Sequence, residues 1–318
     1  MDRPGAVAQV RDAVARFARD HRLDPGPWCV ALSGGADSLA LTIAAAGLRP
    51  TTALIVDHGL QPDSRAVAAA AREQAIVAGC TAAQVIPVQV EGAGGPEAAA
   101  RTARYRALEQ ARDGRPVLLA HTLDDQAETV LLGLGRGSGA RSIAGMRPLD
   151  PPWCRPLLGV RRALTRAACA QAGLTPWQDP HNRDPRYTRV RLRTEVLPLL
   201  EDVLSGGVAE ALARTATALR EDNDALDAMA AAVLSGLGEE PDVAALTELP
   251  DAVRRRVLRG WLLAHGACGL TDTHLRAVDA LVTAWRGQGA VAVPSTGRRV
   301  RLFAGRRGGC LRLYSEPV

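Results

Sequence analysis

Four short apolar runs recur through the first part of the chain, "WCVALS", "TALIVDHG", "AAQVIPVQV" and "PVLLAHT", and longer segments with helical spacing separate them. Runs this short that are apolar at nearly every position suit strands covered on both faces. Their alternation with helices predicts a parallel sheet in an α/β fold. In such folds ligands gather beyond the carboxyl ends of the strands. Three polar clusters fall at those ends: Ser33 to Ser38, Asp57-His58, and His121 to Glu128. From about Val208 the pattern changes to long alanine- and leucine-rich helical periods, beginning "VAEALARTATALREDNDALDAMAAAVL" with "EDND" expected on a solvated face. "LSGLGEEPD" reads as a loop, and "DAVRRRVLRGWLLAHG" and "DTHLRAVDALVTAWRG" read as two more helices. The closing "AVAVPSTGRRVRLFAGRRGGCLRLY" has strand-like runs broken by Gly and Pro, which suggests a small hairpin. The expected division is an α/β domain over residues 1–205 and a smaller, mainly helical domain with a β-hairpin tail over residues 206–318.

Composition adds several constraints. A chain of 318 residues, 47% hydrophobic and 23% charged, can bury a substantial core in two domains. The longest apolar runs, such as "LALTIAAAGL", fall well short of the roughly 20 residues of a membrane span. No charged-then-apolar leader precedes them, and Asp12 and Asp20 in "VAQVRDAVARFARDH" argue against a transit peptide. A cytoplasmic protein with no membrane partner is expected. Cys29, Cys80, Cys154, Cys169, Cys268 and Cys310 are scattered without a CxxC, which favours reduced structural thiols over a metal or iron–sulfur site. A net charge of +5 and a pI near 9.2 lean towards a polyanionic partner. Every basic side chain is arginine, a bias of composition with one chemical consequence. A Walker-type loop, which needs lysine after its last glycine, is excluded.

"SGGADS" follows the first strand and opens a helix. The string offers a turn of backbone N–H groups, the Ser33 and Ser38 hydroxyls and the Asp37 carboxylate. Glycine permits a tight turn and close approach, and the helix aims its positive end at whatever is bound, most naturally phosphate. A plain βα turn with a serine cap is the alternative, and the whole string after a strand favours the phosphate cradle. "HTLDDQAET" gathers His121, Asp124, Asp125 and Glu128 on one side of a helix that Thr122 could cap. Carboxylates so placed repel one another, so the cluster is expected to receive a cation, either a metal or an ammonium group. Arg101, Arg104 and Tyr105 in "PEAAARTARYRAL" share a turn that by itself reads as a solvated face. "WQDPHNRDPRYTRVRLRTEVLP" sets Arg183, Arg186, Arg189, Arg191 and Arg193 around Tyr187, a combination suited to phosphate contact and base stacking.

"SGGADS" resembles the pyrophosphate loop of the PP-loop ATP pyrophosphatases, enzymes that activate an oxygen by adenylation. Within that superfamily "VDHGLQPDSR", "EAAARTARYRAL", "HTLDDQAETVLLGLGRGSG", "RPLLGVRR" and "WQDPHNRDPRYTRVRLRTEVLP" together resemble the tRNA(Ile)-lysidine synthetases, in order from about Cys29 to Leu200. The later helices and hairpin resemble that family's substrate-binding domain. The resemblance implies an adenine nucleotide α-hydrolase-like fold that uses ATP and Mg2+. The implied partners are the CAU-anticodon isoleucine tRNA and free L-lysine, and a homodimer is left open. In the implied reaction, carbon-2 oxygen of the wobble cytidine attacks the α-phosphate of ATP and pyrophosphate leaves. The ε-amine of lysine then displaces AMP to give lysidine.

The roles implied fall on particular residues. Ser33, Gly34, Gly35, Ala36, Asp37 and Ser38, with Asp57 and His58, would bind ATP, and Asp37 would hold magnesium. Asp37, Asp125 and Glu128 would be catalytic, and Asp124, Asp125 and Glu128 would take the lysine ammonium. His121 and Arg104 would orient these groups or touch phosphate. Tyr187, Arg189, Arg191, Arg193, Arg298, Arg299, Arg306 and Arg307 would bind tRNA, the region after Val208 reading the acceptor stem. Val190 stands where the family commonly has asparagine. A tRNA thiolase of the same superfamily would need paired or active-site cysteines, which the motifs lack. An inactive RNA-binding paralogue would have no use for the clustered carboxylates.

Overall fold

A computed structural model of the protein describes residues 4–59, 61, 63–91, 95–137, 139–295 and 300–317. In chain order its elements are α1 (Ala6–Asp20), β1 (Trp28–Ala31), α2 (Ala36–Ala46), β2 (Thr51–Asp57), α3 (Ser64–Val77), β3 (Ala82–Pro87), α4 (Pro96–Ala111) and β4 (Val117–Leu118). They continue with α5 (Leu123–Gly135), α6 (Ala140–Ile143), β5 (Leu149–Asp150), β6 (Trp153–Cys154) and α7 (Arg162–Gln171). After a 3-10 turn at Pro180–Arg183 come α8 (Thr188–Arg191), a π-helical turn (Leu192–Val196), α9 (Leu197–Val203) and α10 (Val208–Gly236). The last elements are α11 (Val243–Thr247), α12 (Asp251–Ala264), α13 (Asp272–Thr283), β7 (Val291–Val293), β8 (Val300–Arg307) and β9 (Cys310–Pro317). Two compact units result, Met1–Gly137 with Ser142–Ala216, and Ser138–Arg141 with Thr217–Val318, so the division falls inside α10.

The first unit holds a six-stranded sheet in the order β3-β2-β1-β4-β6-β5, parallel except for the edge pair β5–β6. The four expected strands are present, and β5 and β6 are two-residue additions that the apolar pattern was too short to reveal. Both faces are buried along β1, β2 and β4, as the continuous apolar runs require, whereas the run at β3 is corrected: as an edge strand it has no fully buried residue. Val30, Ile55 and Leu118 pack with Val10 and Val14 of α1, Leu39 and Leu41 of α2 and Ala168 of α7. The alternate residues Cys29, Leu54, Val117 and Leu119 pack with Leu108 and Tyr105 of α4. Helix α2 has no side-chain cap, and its Leu39 and Leu41 are fully buried. Burying each leucine contributes about 2 kcal/mol, more than the ~1 kcal/mol typical of a cap, so packing fixes where α2 points its N-terminus.

In the second unit Leu246, Leu258, Trp261, Leu262 and Leu281 form the core, and the Trp261 indole N–H donates to the Glu239 carbonyl at 3.0 Å. The expected hairpin is β8–β9, with Gly308 and Gly309 both at positive φ in its turn, and β7 adds a third antiparallel strand. The expected solvated "EDND" is corrected at one position. Asn223 is buried, its side-chain oxygen accepting from Arg256 at 2.7 Å. Among the described residues no helix is long and apolar enough to cross a membrane.

Candidate active site

From β1 the chain winds outward to β2 and β3, and from β4 it winds the other way to β6 and β5, so β1 and β4 are adjacent at the point where the order reverses. Ligands of open α/β sheets sit at such a switch point. Here it joins "SGGADS", which follows β1, to "HTLDDQAET", which follows β4. A cavity of about 1090 Å³ opens there, lined among others by Ser33, Asp37, His58, His121, Asp125 and Arg162.

The loop after β1 closes on itself. Gly34 has φ +83°, a conformation open to glycine at little cost. Gly35 caps α2 at φ −73°, where any residue fits, so its service is space: only the Ser33 hydroxyl comes near where a Cβ would sit. The Ser38 hydroxyl donates to the Gly35 carbonyl at 2.9 Å and accepts the Ser33 N–H at 3.2 Å, holding the turn. The first amides of α2, at Ala36, Asp37 and Ser38, have no intrahelical acceptor, and with the dipole they make an anion cradle.

On the other side Thr122 caps α5. Its N–H and hydroxyl both donate to Asp125 Oδ2 at 2.8 Å, so Asp125 is at once a capping-box residue and a wall of the cavity. The expectation of three carboxylates around one pocket narrows to this residue. Asp124 accepts the Arg162 backbone N–H at 2.8 Å and so satisfies the start of α7. Glu128 is wholly buried beneath Arg193, which donates to its two oxygens at 2.8 and 3.1 Å.

One guanidinium joins both halves. Arg162, the first residue of α7, donates to Asp37 Oδ2 at 3.2 Å and Asp125 Oδ1 at 2.5 Å, and reaches Glu128 at 3.5 Å. The Thr165 hydroxyl donates to the other Asp37 oxygen. The segment "RPLLGVRR" carries the family resemblance, but nothing local in it marks Arg162, or Thr165 just beyond, for a role. The clue available was a second arginine-rich segment ahead of a helix, with acidic clusters elsewhere needing counterions. Asp37 accepts from Thr165 on one oxygen and from Arg162 on the other, and each oxygen keeps a lone pair with which it would hold magnesium. Among the described residues no group of three or more His, Cys, Asp or Glu is arranged to hold a metal ion.

The same surroundings push the two aspartates apart. Burial raises the Asp37 carboxyl above its ordinary value, with Thr165 and Arg162 only partly opposing. Burial also acts on Asp125, but Arg162 and the two Thr122 donors outweigh it and hold the carboxyl below the usual range. Burial lowers His121 to about 4, against the pull of Asp125 and with help from Arg155 and Arg104, so its ring is neutral near pH 7. His58 is lowered by burial and by Arg104, and the Arg104 guanidinium is itself lowered by burial. His58 Nδ1, Arg104 Nε and His121 Nδ1 are buried with no hydrogen-bond partner among the described residues. His121 precedes α5 rather than riding on it. The solvated face expected around Arg104 and Tyr105 is corrected as well: Arg104 lines the cavity, and Tyr105 packs edge-on against Trp153. Asp57 lines the cavity and accepts the Gly59 N–H at 3.0 Å.

The expected tRNA contacts divide. Arg193 is turned to Glu128, and Arg189 donates to the Thr129 hydroxyl at 3.3 Å, 3.8 Å from Glu128, so neither is a free phosphate hook. Arg191 pairs with Glu195 on the surface, and Tyr187 is 38% exposed. Val190, in the place of the common asparagine, is buried. Arg306 is drawn inward, donating to the Leu281 carbonyl at 3.1 Å and stacking on Trp285 at 4.9 Å, whereas Arg307 is exposed. Arg298 and Arg299 lie outside the described residues.

Comparison with known proteins accords with both units. A PP-loop domain family matches residues 8–200, and a TilS substrate binding domain matches residues 242–307. The tRNA(Ile)-lysidine synthase of Mycobacterium bovis is 71% identical over the whole of both chains, and that of Mycobacterium leprae is 66% identical, also over the whole of both. The Rhodococcus jostii enzyme of the same name is 61% identical over 97% of this chain and 95% of its own. Among solved structures, the U34-tRNA thiolase NcsA from Methanococcus maripaludis superposes with a TM-score of 0.55 over 68% of this chain and 80% of its own, at 17% identity, a likeness of fold. Similarity of this extent, covering the PP-loop and substrate-binding regions alike, means that the chain belongs to the tRNA(Ile)-lysidine synthase family.

Proposed function

We propose that this protein ligates free L-lysine to carbon-2 of the wobble cytidine in the CAU-anticodon isoleucine tRNA, through an adenylated tRNA. The observation that carries this reading is the meeting of a pyrophosphate loop and an acidic helix at one cavity, in a chain whose relatives of that name align end to end. ATP lies with its β- and γ-phosphates on the Gly34–Ser38 backbone, where fixed N–H dipoles stabilise the charge that develops on departing pyrophosphate. The cytidine carbon-2 oxygen attacks the α-phosphate. The lysine ε-amine, its ammonium held at Asp125, gives up a proton there and bonds to carbon-2, and the carbon–oxygen bond to AMP breaks with its electron pair leaving on AMP. Arg104 supplies an unfilled Nε–H donor, and His58 and His121 supply unpartnered ring nitrogens, for the α-phosphate or the lysine carboxylate. Magnesium belongs in this reading with the nucleotide's own phosphates and Asp37. The second unit holds tRNA away from the anticodon, with exposed arginines such as Arg307 on phosphate.

The test is incubation with ATP, radiolabelled lysine and a CAU-anticodon isoleucine tRNA transcript. Label entering the tRNA with release of pyrophosphate is the expected result. Neither event occurring would overturn the proposal.

A further inference from the structure

We propose that Arg162 is a displaceable internal cation, competing with the ammonium group of the incoming lysine for one oxygen, Asp125 Oδ1. The inference rests on the reading that Asp125 receives this ammonium.

The Asp125 carboxylate already holds three donors, two on one oxygen and one on the other. Its Oδ2 accepts two donors from Thr122, three residues away, and those bonds are part of the cap that starts α5. Its Oδ1 accepts Arg162 Nη2 at 2.5 Å, with Arg193 Nη2 next nearest at 3.6 Å. An ammonium group arriving from the cavity therefore meets Asp125 where a guanidinium already stands. Two cations at contact distance in a partly dry site repel, so one must give way.

Arg162 is built to give way. Its main chain is fixed, since its N–H is held by Asp124 at 2.8 Å, but its head group divides itself among three carboxylates. The contacts to Asp37, at 3.2 Å, and Glu128, at 3.5 Å, are longer than the one to Asp125, so the guanidinium can settle on those two when Oδ1 is taken. Glu128 keeps its paired contact with Arg193 throughout, and no buried carboxylate is left without a counterion. Asp37 belongs to the pyrophosphate loop, so the exchange would carry the arrival of lysine across to the nucleotide side.

Arg162→Ala, measured in the full-length protein with saturating ATP and tRNA, tests this. A bound state that must first expel an internal competitor has its apparent affinity reduced by that occupancy. The Michaelis constant for lysine should therefore fall about ten-fold in Arg162→Ala. Millimolar guanidinium chloride should raise it again, competitively with lysine, and should raise the thermal midpoint of the variant while leaving the wild-type constant unmoved. Arg162→Lys, which keeps a cation in place, should stay near wild type. A Michaelis constant that is unchanged, or that rises and is lowered by guanidinium, would overturn the inference and make Arg162 a substrate contact. Should Arg162→Ala not fold, Arg162→Gln replaces it with the same expectation of a fall. Asp125→Asn separates the two claims. If it abolishes lysine transfer while Arg162→Ala shows no fall, the competition alone is wrong; if it transfers lysine normally, Asp125 is not the acceptor and both fail.

Discussion

Asp37 and Asp125 share the Arg162 guanidinium, yet their carboxyl groups are driven in opposite directions. At Asp37 burial wins. At Asp125 the same kind of burial is outweighed because Arg162 comes closer, at 2.5 rather than 3.2 Å, and because Thr122 adds an N–H and a hydroxyl. The comparison teaches that the closer approach of the shared arginine, seconded by the Thr122 cap, decides which carboxylate is the firmer anion. The firmer one stands on the helix assigned to the amine, and the more easily protonated one stands in the loop assigned to the phosphates.

The largest test of this contrast exchanges the two charges one at a time. Asp125→Asn should reduce lysine transfer on the order of 10³-fold while pyrophosphate release falls much less, and Asp37→Asn should show the reverse bias. Rapid-quench measurement of both products decides it, and equal losses in both steps for Asp125→Asn would move that residue to adenylation. Glu128→Gln comes next. It leaves Arg193 and Arg162 facing a neutral group in a fully buried place, and should lower unfolding stability by about 3 kcal/mol, read from urea midpoints.

His121 gives a pH signature. Its folded value of about 4 lies below the ordinary 6.5, so between those values the unfolded chain holds more protons at this residue, and the contribution of His121 to stability falls as pH drops from 6.5 towards 4. His121→Gln should flatten that part of the stability profile, measured by thermal unfolding across the range. The smallest effect is expected away from the site. Arg307→Ala should weaken tRNA binding a few-fold and reduce the salt slope by about one, because an exposed arginine contributes through counterion release.

Much of the architecture is legible in the sequence. The apolar runs 28–31 and 51–57 are strands because each must be covered on both faces, 82–87 joins them as a half-exposed edge strand, and "SGGADS" and "HTLDDQAET" fall after β1 and β4 by chain order alone. The arginines were harder. The segment around Tyr187 and the closing hairpin look alike as strings of exposed charge, yet Arg193 and Arg306 turn inward while Arg191 and Arg307 stay outside. Nothing local separates these outcomes, because a long side chain goes where a buried acceptor or an open helix end lies, and Glu128 and the end of α13 are distant in sequence.

What the sequence alone determined is the set of local commitments: strand and helix periods, the turn at Gly34 and the Thr122 cap, each settled by groups within a few residues of one another. Only the tertiary structure decided that Arg162 would meet Asp37 and Asp125, residues 125 and 37 positions away along the chain, and that Glu128 would be sealed beneath Arg193. The reason is physical. The reversal of strand order between β1 and β4 brings distant segments to one low-dielectric crevice, and there burial and pairing, which no local pattern encodes, shift the titration of Asp37, His121 and Asp125.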